Sequence, residues 1–268
     1  TARRQPDMSF NVYTSGMLER LAENLASRVR RPLRSPFEKE VLVVMSVGMG
    51  RWLSQRMAEH LGVWANYEYV FPTDMIERIF ESLTREAVRA EPFSREALSW
   101  RIMGLLPECA RLPGYEPLNS YLGDGSNELK RRQLAERIDR VFDQYVVHRP
   151  EMVLGWEKGP SPEEAGDERW QADLWRRLFA GGRPAHHAAL AARLLAEIDS
   201  LPPERLEKLP SRISLFGMAT LPPLYVRVLY ALSRNIEIDF FVLNPSRYFW
   251  GDIASAREQA RIARRLKS

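Results

Sequence analysis

The stretch Val41–Val47 (VLVVMSV) is nearly all apolar or β-branched, and it lies between a charged segment and Gly48. Such a run predicts a strand that is buried on both faces, which is typical of a parallel sheet. Gly48-Met49-Gly50 predicts a tight turn into a helix, and that helix runs from Arg51 to Leu61 with Gly62 as its C-cap. The fold class is therefore decided here, because a buried strand followed at once by a helix is one half of an α/β unit.

The segments on either side repeat this alternation. Phe10–Thr14 is prone to form a strand, and it precedes a helical pattern of apolar residues at Met17, Leu18, Leu21, Leu25 and Val29. Near the other end, Arg212–Met218 predicts a strand, Pro222–Arg234 a helix and Ile236–Leu243 a further strand. Both ends of the chain therefore supply strands to an α/β sheet.

The middle of the chain is helical in pattern. The predicted helices are Asp74–Glu91, with Thr73 or Asp74 as N-cap, Ser94–Leu106, Asn127–Val147, Trp170–Ala180 and His186–Leu201, with a loop over Gly159–Asp167. We therefore predict one α/β domain from 9–73 and 210–253, a helical insertion at 74–209, an extension at 1–8 and a basic helix at 254–268. Two domains in series are less favoured, because the returning strands would lack a sheet large enough to join.

Charge and composition give weaker indications. The chain has 268 residues and a net charge of +4, and only five of its 39 basic residues are Lys. Arginine suits phosphate because its planar fork donates two hydrogen bonds, so contact with nucleic acid is one interpretation. No apolar run approaches the roughly 18 residues needed to span a bilayer, and no signal peptide is visible. With a single cysteine, Cys109, the default is a reducing cytoplasm without membrane association.

The expected motifs of ATP, metal and hydrolytic centres are missing. A P-loop needs glycines and a Lys, whereas the first strand-to-helix turn, Tyr13–Met17, has one Gly and no Lys. The turn at Gly48–Arg51 lacks the Lys-Ser/Thr pair, and the strand end Ser214–Met218 lacks the acids that would hold magnesium. The four His have no metal-ligand spacing. We therefore predict no catalytic residue, no metal and no cofactor.

Two features leave alternatives open. Packing is favoured for the tryptophans, above all for Trp100, Trp156, Trp170 and Trp175, but Trp52 and Trp64 also lie where bases could stack beside Arg51. The segment Arg137–Arg149 has an apolar face formed by Ile138, Val141, Phe142 and Tyr145, with Asp139, Arg140 and Asp143 on the other face. It is either an ordinary surface helix or a contact surface, and the pattern does not choose between them.

Several segments, taken in order, resemble the amino-terminal portion of the RecC family, the gamma subunit of exodeoxyribonuclease V (the RecBCD complex). The matching segments are Phe37–Val44 with Gly48–Leu53, Ala65-Asn66 with Phe71-Pro72, Asp143–Tyr145 with Arg149–Met152, Trp170-Gln171 with Leu174-Trp175, Phe216–Ala219 with Leu221–Tyr225, and Asn244-Pro245 with Tyr248 and Trp250–Ile253. Each motif is modest, but their order is specific. The resemblance covers about Ser9 to Ile253, and chains of this family are about four times longer.

The resemblance implies a superfamily 1 helicase-like motor domain with a helical insertion, inactive as a motor. It also implies a non-catalytic scaffold subunit that binds RecB-like and RecD-like partners and single-stranded and forked DNA. Such a subunit guides the 3′ strand of an ATP-dependent helicase–nuclease and contributes to recognition of Chi. Two alternatives remain: a subunit of the related AddB-type nucleases, which the missing Gly-Lys disfavours, and a protein-interaction module without a role in DNA binding.

The resemblance also implies a set of DNA-binding positions, which fall in the turn after the second strand, in the Phe-Pro loop and around the Asp-Gln-Tyr to Arg-Pro segment. These positions are Met45, Val47, Arg51, Trp52, Phe71, Glu77, Arg140, Asp143, Arg149 and His187. Asp143 and Arg149 keep the expected residue types, whereas Arg140 replaces an acid and His187 replaces an Arg. Because reading a base requires matched donors and acceptors, we expect the preferred DNA sequence to differ from that of better-known relatives.

Overall fold

The computed structural model describes residues 9–84, 95–123, 127–162, 164–180, 185–244 and 246. Its residues form two compact units. The first, the sheet unit, comprises ranges 10–71 and 212–219 and the described residues from 238 onwards. The second, the helical unit, comprises the described residues of 72–211 and 220–237 together with Ser9. Predictions for 1–8 and 254–268 concern residues outside the described ranges.

The sheet unit is a five-stranded parallel sheet with the strand order β1-β5-β4-β2-β3. Its elements are β1 Phe10–Ser15, α1 Leu18–Val29, β2 Glu40–Val43, α2 Val47–Leu61, β3 Tyr67–Val70, β4 Arg212–Phe216 and β5 Glu237–Leu243. The prediction that strands from both ends of the chain join one parallel α/β sheet is confirmed. Every residue of β2 is buried, as predicted for the run that begins at Val41, and every residue of β4 is buried as well.

Two buried ion pairs connect elements of the sheet unit, one between α1 and β5 and the other between β4 and β2. Asp239 on β5 is fully buried, and its carboxylate accepts hydrogen bonds from Arg28 at 3.1 and 3.2 Å and from Asn11 at 2.9 Å. Arg212 on β4 is paired with Glu40 on β2, and both residues are buried. Each carboxylate thus has a guanidinium partner, which is what makes a buried charge tolerable.

The structure corrects the prediction around the deciding stretch. β2 ends at Val43, and Ser46 is the N-cap of α2, with its hydroxyl accepting from the Met49 amide at 3.1 Å. The glycines 48 and 50 therefore lie in the first helical turn, not in a tight turn before it. The β-branched Val47 enters a helix because the cap satisfies an N–H group that would otherwise lack a partner. The predicted end of this helix is confirmed, since Gly62 is its C-cap with φ +79°.

The helical unit consists of helices around an apolar core. Its elements are α3 Pro72–Thr84, α4 Arg95–Cys109, α5 Glu116–Leu122, α6 Glu128–His148, α7 Pro150–Trp156, α8 Asp167–Leu178, α9 His187–Glu197, a 3₁₀ turn Ile198–Ser200, α10 Pro203–Leu206 and α11 Pro223–Leu232. Helix α6 packs along α4, and Phe142, Trp156 and Trp175 meet edge to face in the core. The helix predicted at 127–147 is confirmed, with Asn127 as its N-cap.

Several predictions for this unit were wrong. α3 begins at Pro72 and not at Thr73 or Asp74, while its predicted end at Glu91 and the predicted cap Ser94 lie outside the described residues. Trp100, for which packing in the core or at an interface was predicted, is 61% exposed, so packing in the core is wrong and packing at an interface stays a prediction. Asp139, predicted on the polar face of α6, is buried. The apolar stripe is wider than the sequence suggested, because α6 is contacted by α4, α7, α9 and α11.

Short elements were missed altogether. β3 was not predicted, and neither were α5, α7 and α10. α7 follows α6 directly, because Pro150 lacks the N–H that would continue α6 and is well suited to a first helical position. Helix α11 belongs to the helical unit, although in the sequence it comes between strands β4 and β5 of the sheet unit. The domain boundaries given from the sequence stay a prediction.

Candidate nucleic-acid interface

Four of the predicted DNA-binding residues lie at one edge of the sheet unit. Met45 and Val47 follow the carboxyl end of β2, and Phe71 follows the carboxyl end of its neighbour β3. These three side chains are 58, 60 and 42% exposed, and Arg51, one turn into α2, is also exposed. The carboxyl edge of an open parallel sheet is where ligands of α/β proteins bind, so the structure gathers these residues at a chemically suitable place.

A pocket opens at this edge, and we call it the edge pocket. Its volume is about 280 Å³, just below the roughly 300–1,000 Å³ of sites for drug-sized ligands. It lies entirely within the sheet unit and has aliphatic, aromatic, hydroxyl and guanidinium groups in its lining, from Val44, Val47, Gly50, Arg51, Ser54, Tyr67, Tyr69, Val70 and Phe71. The pocket is therefore suited to a small planar group with an anionic attachment.

Three hydroxyl groups in this lining form a chain. Ser54 donates to the Tyr67 oxygen at 3.2 Å and lies 2.9 Å from the Tyr69 oxygen. Because Ser54 has one hydrogen and gives it to Tyr67, Tyr69 must donate to Ser54. The Tyr67 hydrogen then has no acceptor among the described residues and remains available to a ligand. Burial raises the pKa of Tyr69, so this phenol stays protonated at neutral pH.

Gly50 makes room for one wall of the edge pocket. A Cβ at position 50 would lie 3.1 Å from Cδ2 and 3.2 Å from Cγ of Tyr69. Optimal carbon–carbon contacts are about 3.5–4.0 Å, so a side chain here would push the tyrosine ring away. The second glycine of the Gly48-Met49-Gly50 motif is therefore explained by a close approach of two elements, and not by a phosphate loop.

A second crevice at the carboxyl edge is filled. β4 connects towards β5 and β2 connects towards β3, so the switch point of the sheet lies between β4 and β2. In doubly wound folds the crevice at such a point binds nucleotides. Here Met49 Cε lies 3.3 Å and Leu18 Cδ2 lies 3.6 Å from the place that a Cβ of Gly217 would occupy. Apolar side chains thus occupy the position just beyond β4.

Trp52 and Trp64 are both half-buried parts of the sheet unit. Trp52 packs against Phe216 with ring centroids 6.1 Å apart, and the Arg56 guanidinium lies 5.7 Å from its ring centre. Trp64 stacks on Tyr67 at 4.9 Å with an interplanar angle of 10°. Trp52 does not line the edge pocket, whereas Trp64 supports one of the residues that do.

The other predicted DNA-binding residues belong to the helical unit. His187 is buried, its Nε2 lies 3.5 Å from the Glu77 carboxylate, and its ring packs near Phe80 and Tyr225. Asp143 is half-buried and lines the same cavity as His187, a space of about 40 Å³.

Arg140 and Arg149 are exposed on the helical unit, and they do not line that cavity. The Arg149 guanidinium lies 5.9 Å from the ring centre of Tyr145. The structure therefore brings Glu77, Asp143 and His187 close to one another and places the two arginines at the surface.

Six of the nine lining residues of the edge pocket were not predicted to bind DNA, and the three with side-chain hydroxyls are Ser54, Tyr67 and Tyr69. Tyr67-Glu68-Tyr69-Val70 has the alternation of a half-exposed strand, with both tyrosines on one face. That pattern would have revealed β3 and its tyrosines. No local signal indicates Ser54, because its role depends on α2 lying beside β3.

Within the described ranges, no three His, Cys, Asp or Glu side chains come together as metal ligands. None of the helices in that part of the chain is both long enough and apolar enough to cross a membrane. Cys109 is buried in the helical unit, and this burial raises the pKa of its thiol.

The fold and the edge pocket define a parallel α/β domain accompanied by a helical unit. A family model described as RecC, N-terminal domain, matches residues 10–268. The chain therefore belongs to the RecC family, and the resemblance drawn from its motifs is confirmed.

Individual relatives agree with this assignment. Three proteins, each named RecBCD enzyme subunit RecC, are 35% identical in Escherichia coli K12, 32% in Haemophilus influenzae and 30% in Mycobacterium tuberculosis H37Rv. The alignments cover 96, 92 and 92% of this chain, but 24, 24 and 23% of the relatives. The chain thus spans about a quarter of the length of these relatives.

Proposed function

We propose that this chain is the amino-terminal part of a non-catalytic subunit of an ATP-dependent helicase–nuclease for double-strand-break repair and recombination. In this proposal it guides the 3′ single strand and contributes to recognition of a Chi-like sequence. RecB-like and RecD-like chains are its partners, forked DNA is the substrate of the complex, and the complex acts in the cytoplasm. The observation that carries the proposal is the edge pocket, where Val47, Arg51 and Phe71 come together with tyrosine and serine hydroxyls.

The lining of the edge pocket suits one unstacked base of a single strand. Val44, Val47 and Val70 offer aliphatic contact, and Phe71 offers an exposed ring on which a base can stack. The exposed Arg51 guanidinium can hold the attached phosphate. The available Tyr67 hydrogen can donate to a base acceptor, which gives the pocket a means of discriminating between bases.

The filled switch point supports the non-catalytic part of the proposal. Met49 and Leu18 occupy space beyond β4 where a nucleotide would otherwise bind. The Tyr13–Met17 turn lacks the lysine of a P-loop, and the end of β4 lacks acidic residues. We propose, following the family resemblance, that the sheet unit is a helicase-like domain of the superfamily 1 type without motor function.

The helical-unit positions support a changed sequence preference. Glu77 and His187 differ in type from what the family pattern leads one to expect. His187 is buried against Glu77, so it acts by shaping the surface more than by donating directly to a base. In this proposal Arg149 and Arg140 contact phosphates, and guidance of the strand persists while the recognised sequence changes.

The test uses the full-length subunit assembled with its partner chains. Arg51→Ala should weaken binding of single-stranded DNA and lower the slope of log K against log salt by about 0.7, the amount for one phosphate contact. Arg51→Lys should restore most of the slope. Arg56→Ala is the matched control, because Arg56 lies on the same helix, pairs with Glu59 at 2.8 Å and does not line the edge pocket.

A second variant separates base reading from phosphate contact. Tyr67→Phe should leave the salt slope unchanged and alter the preference among bases, since it removes one donor. If Arg51→Ala and Tyr67→Phe both behave as the parent complex while subunit assembly is intact, the pocket does not contact DNA. The chain would then be better described as a protein-interaction module.

A further inference from the structure

A surface groove between α4 and α6 contains the most exposed tryptophan among the described residues. Trp100 is 61% exposed, whereas the other described tryptophans are half-buried or buried. The groove has a volume of about 370 Å³ and lies wholly within the helical unit. Its lining consists of Ser99, Trp100, Met103, Arg132, Glu136, Asp139 and Arg140, and we call it the tryptophan groove.

Two arginines on α6 line the groove together with the Trp100 ring. The Arg132 guanidinium lies 5.6 Å from the Trp100 ring centre, and its Nε donates to Glu136 at 3.0 Å. Arg140 lies two turns further along the same helix, about 12 Å away at 1.5 Å per residue. Its Nε donates to the Glu136 backbone oxygen at 3.2 Å, which orients the side chain. No acid among the described residues pairs with Arg140, so its terminal nitrogens can bind an anion.

The lining of the tryptophan groove has two arginines and two acids, and their exposure differs. The Glu136 carboxylate accepts from Arg132 and Asp139 is only 7% exposed, so the Arg140 guanidinium carries the exposed positive charge. An exposed indole and an exposed guanidinium in one groove combine a ring on which a base can stack with a group that can hold its phosphate. A partner helix would instead need a continuous apolar stripe, and Met103 is the one aliphatic side chain beside Trp100 in the lining.

We propose that the tryptophan groove is a second contact site for single-stranded nucleic acid. A base stacks on Trp100, and Arg140 holds a neighbouring phosphate without reading sequence. This inference rests on the proposed function, because it adds a sequence-tolerant holding point on the helical unit to the base-reading pocket of the sheet unit. The groove contributes affinity, and the edge pocket contributes preference.

The experiment uses the assembled full-length complex and a single strand that carries photoreactive bases. Trp100→Ala should weaken binding about fivefold or more, since losing one stacked base costs at least that factor, and it should remove the crosslink to α4. Trp100→Phe should keep most of the binding, because a ring remains. Arg140→Ala should lower the salt slope by about 0.7. Because Trp100 is largely exposed, its replacement should leave folding intact.

Tyr121→Ala is the matched control. Tyr121 is 46% exposed in the same unit and has the Lys130 ammonium 4.5 Å from its ring centre, but it does not line the tryptophan groove. If Trp100→Ala binds DNA like Tyr121→Ala, the inference is wrong. It is also wrong if Trp100→Ala impairs subunit assembly and spares DNA binding, because a protein segment would then cover the ring.

The two proposals can fail separately. If Arg51→Ala weakens DNA binding and Trp100→Ala does not, the tryptophan groove is not a contact site and the proposed function stands. If Arg51→Ala, Tyr67→Phe and Trp100→Ala all leave DNA binding unchanged in an intact complex, both proposals are overturned.

Discussion

Replacing Gly50 by alanine tests how the edge pocket is built. In a helix, alanine is more favourable than glycine by up to about 1 kcal/mol, so without a steric conflict the variant would be more stable. The new Cβ would however lie 3.1 and 3.2 Å from two ring carbons of Tyr69. The ring cannot retreat freely, because its hydroxyl is held by Ser54 at 2.9 Å and its centroid lies 5.0 Å from that of Tyr67.

The magnitude follows from these two opposing effects. Overpacking a well-packed site costs about 1–3 kcal/mol. Subtracting a propensity gain of up to about 1 kcal/mol leaves Gly50→Ala between unchanged and about 3 kcal/mol less stable than the parent. Displacement of the Tyr69 ring should also break its hydrogen bond with Ser54 and alter base preference in the DNA-binding assay.

Gly48→Ala is a matched control for Gly50→Ala. Gly48 lies in the same first turn of α2 and is exposed, and a Cβ there would meet only Ser46 Oγ, at an ordinary 3.7 Å. Urea unfolding followed by far-ultraviolet circular dichroism gives the free energy of unfolding of each variant. We expect Gly50→Ala to be about 1–3 kcal/mol less stable than Gly48→Ala. Equal stabilities would refute the claim that Tyr69 leaves no room for a side chain.

Two further predictions concern buried carboxylates. Arg176 donates to Glu164 at 2.8 and 3.1 Å, and these hydrogen bonds lower the pKa of Glu164 in the folded protein. The ion pair therefore contributes its full stability above about pH 4.5, the ordinary pKa of a Glu. This stability is lost as the pH falls through the lowered pKa of the folded state. Glu164→Gln should therefore flatten the fall of the melting temperature in acid, and an unchanged pH profile would contradict this. Asp239→Ala should cost about 3 kcal/mol in urea unfolding, because Arg28 would be left without its buried partner. Arg28→Met with Asp239→Leu should cost less, and an equal loss would contradict the pairing argument.

Helix α6 shows what a periodic sequence can and cannot predict. Its existence, its N-cap Asn127 and its end near His148 follow from local signals. The burial of Asp139 does not, because it depends on which neighbouring helices cover that side of α6. The exposure of Trp100 also depends on tertiary contacts. Packing was predicted because an aromatic residue in a helical pattern is usually covered, but only the neighbouring elements decide whether its ring is exposed.

The candidate site likewise has residues that the sequence could indicate and contacts that only the tertiary structure shows. Met45, Val47, Arg51 and Phe71 could be named because the family resemblance, carried by short motifs along the chain, implies them as DNA-binding positions. Tyr67 and Ser54 could not be linked, because their contact requires β3 to pair with β2 in the register that aligns Tyr69 with Leu42. A shift of one residue would turn both tyrosines to the other face.

The sequence by itself determined the α/β class, the absence of a P-loop lysine from the strand-to-helix turns and, through the order of modest motifs, membership of the RecC family. Those features depend on residue type and short spacing, which are visible along the chain. The tertiary structure alone decided the strand order β1-β5-β4-β2-β3, the closing of the switch point by Met49 and the hydroxyl chain of the edge pocket. These depend on contacts between distant segments, and such contacts are selected by the packing of a whole unit and not by the propensity of any one part.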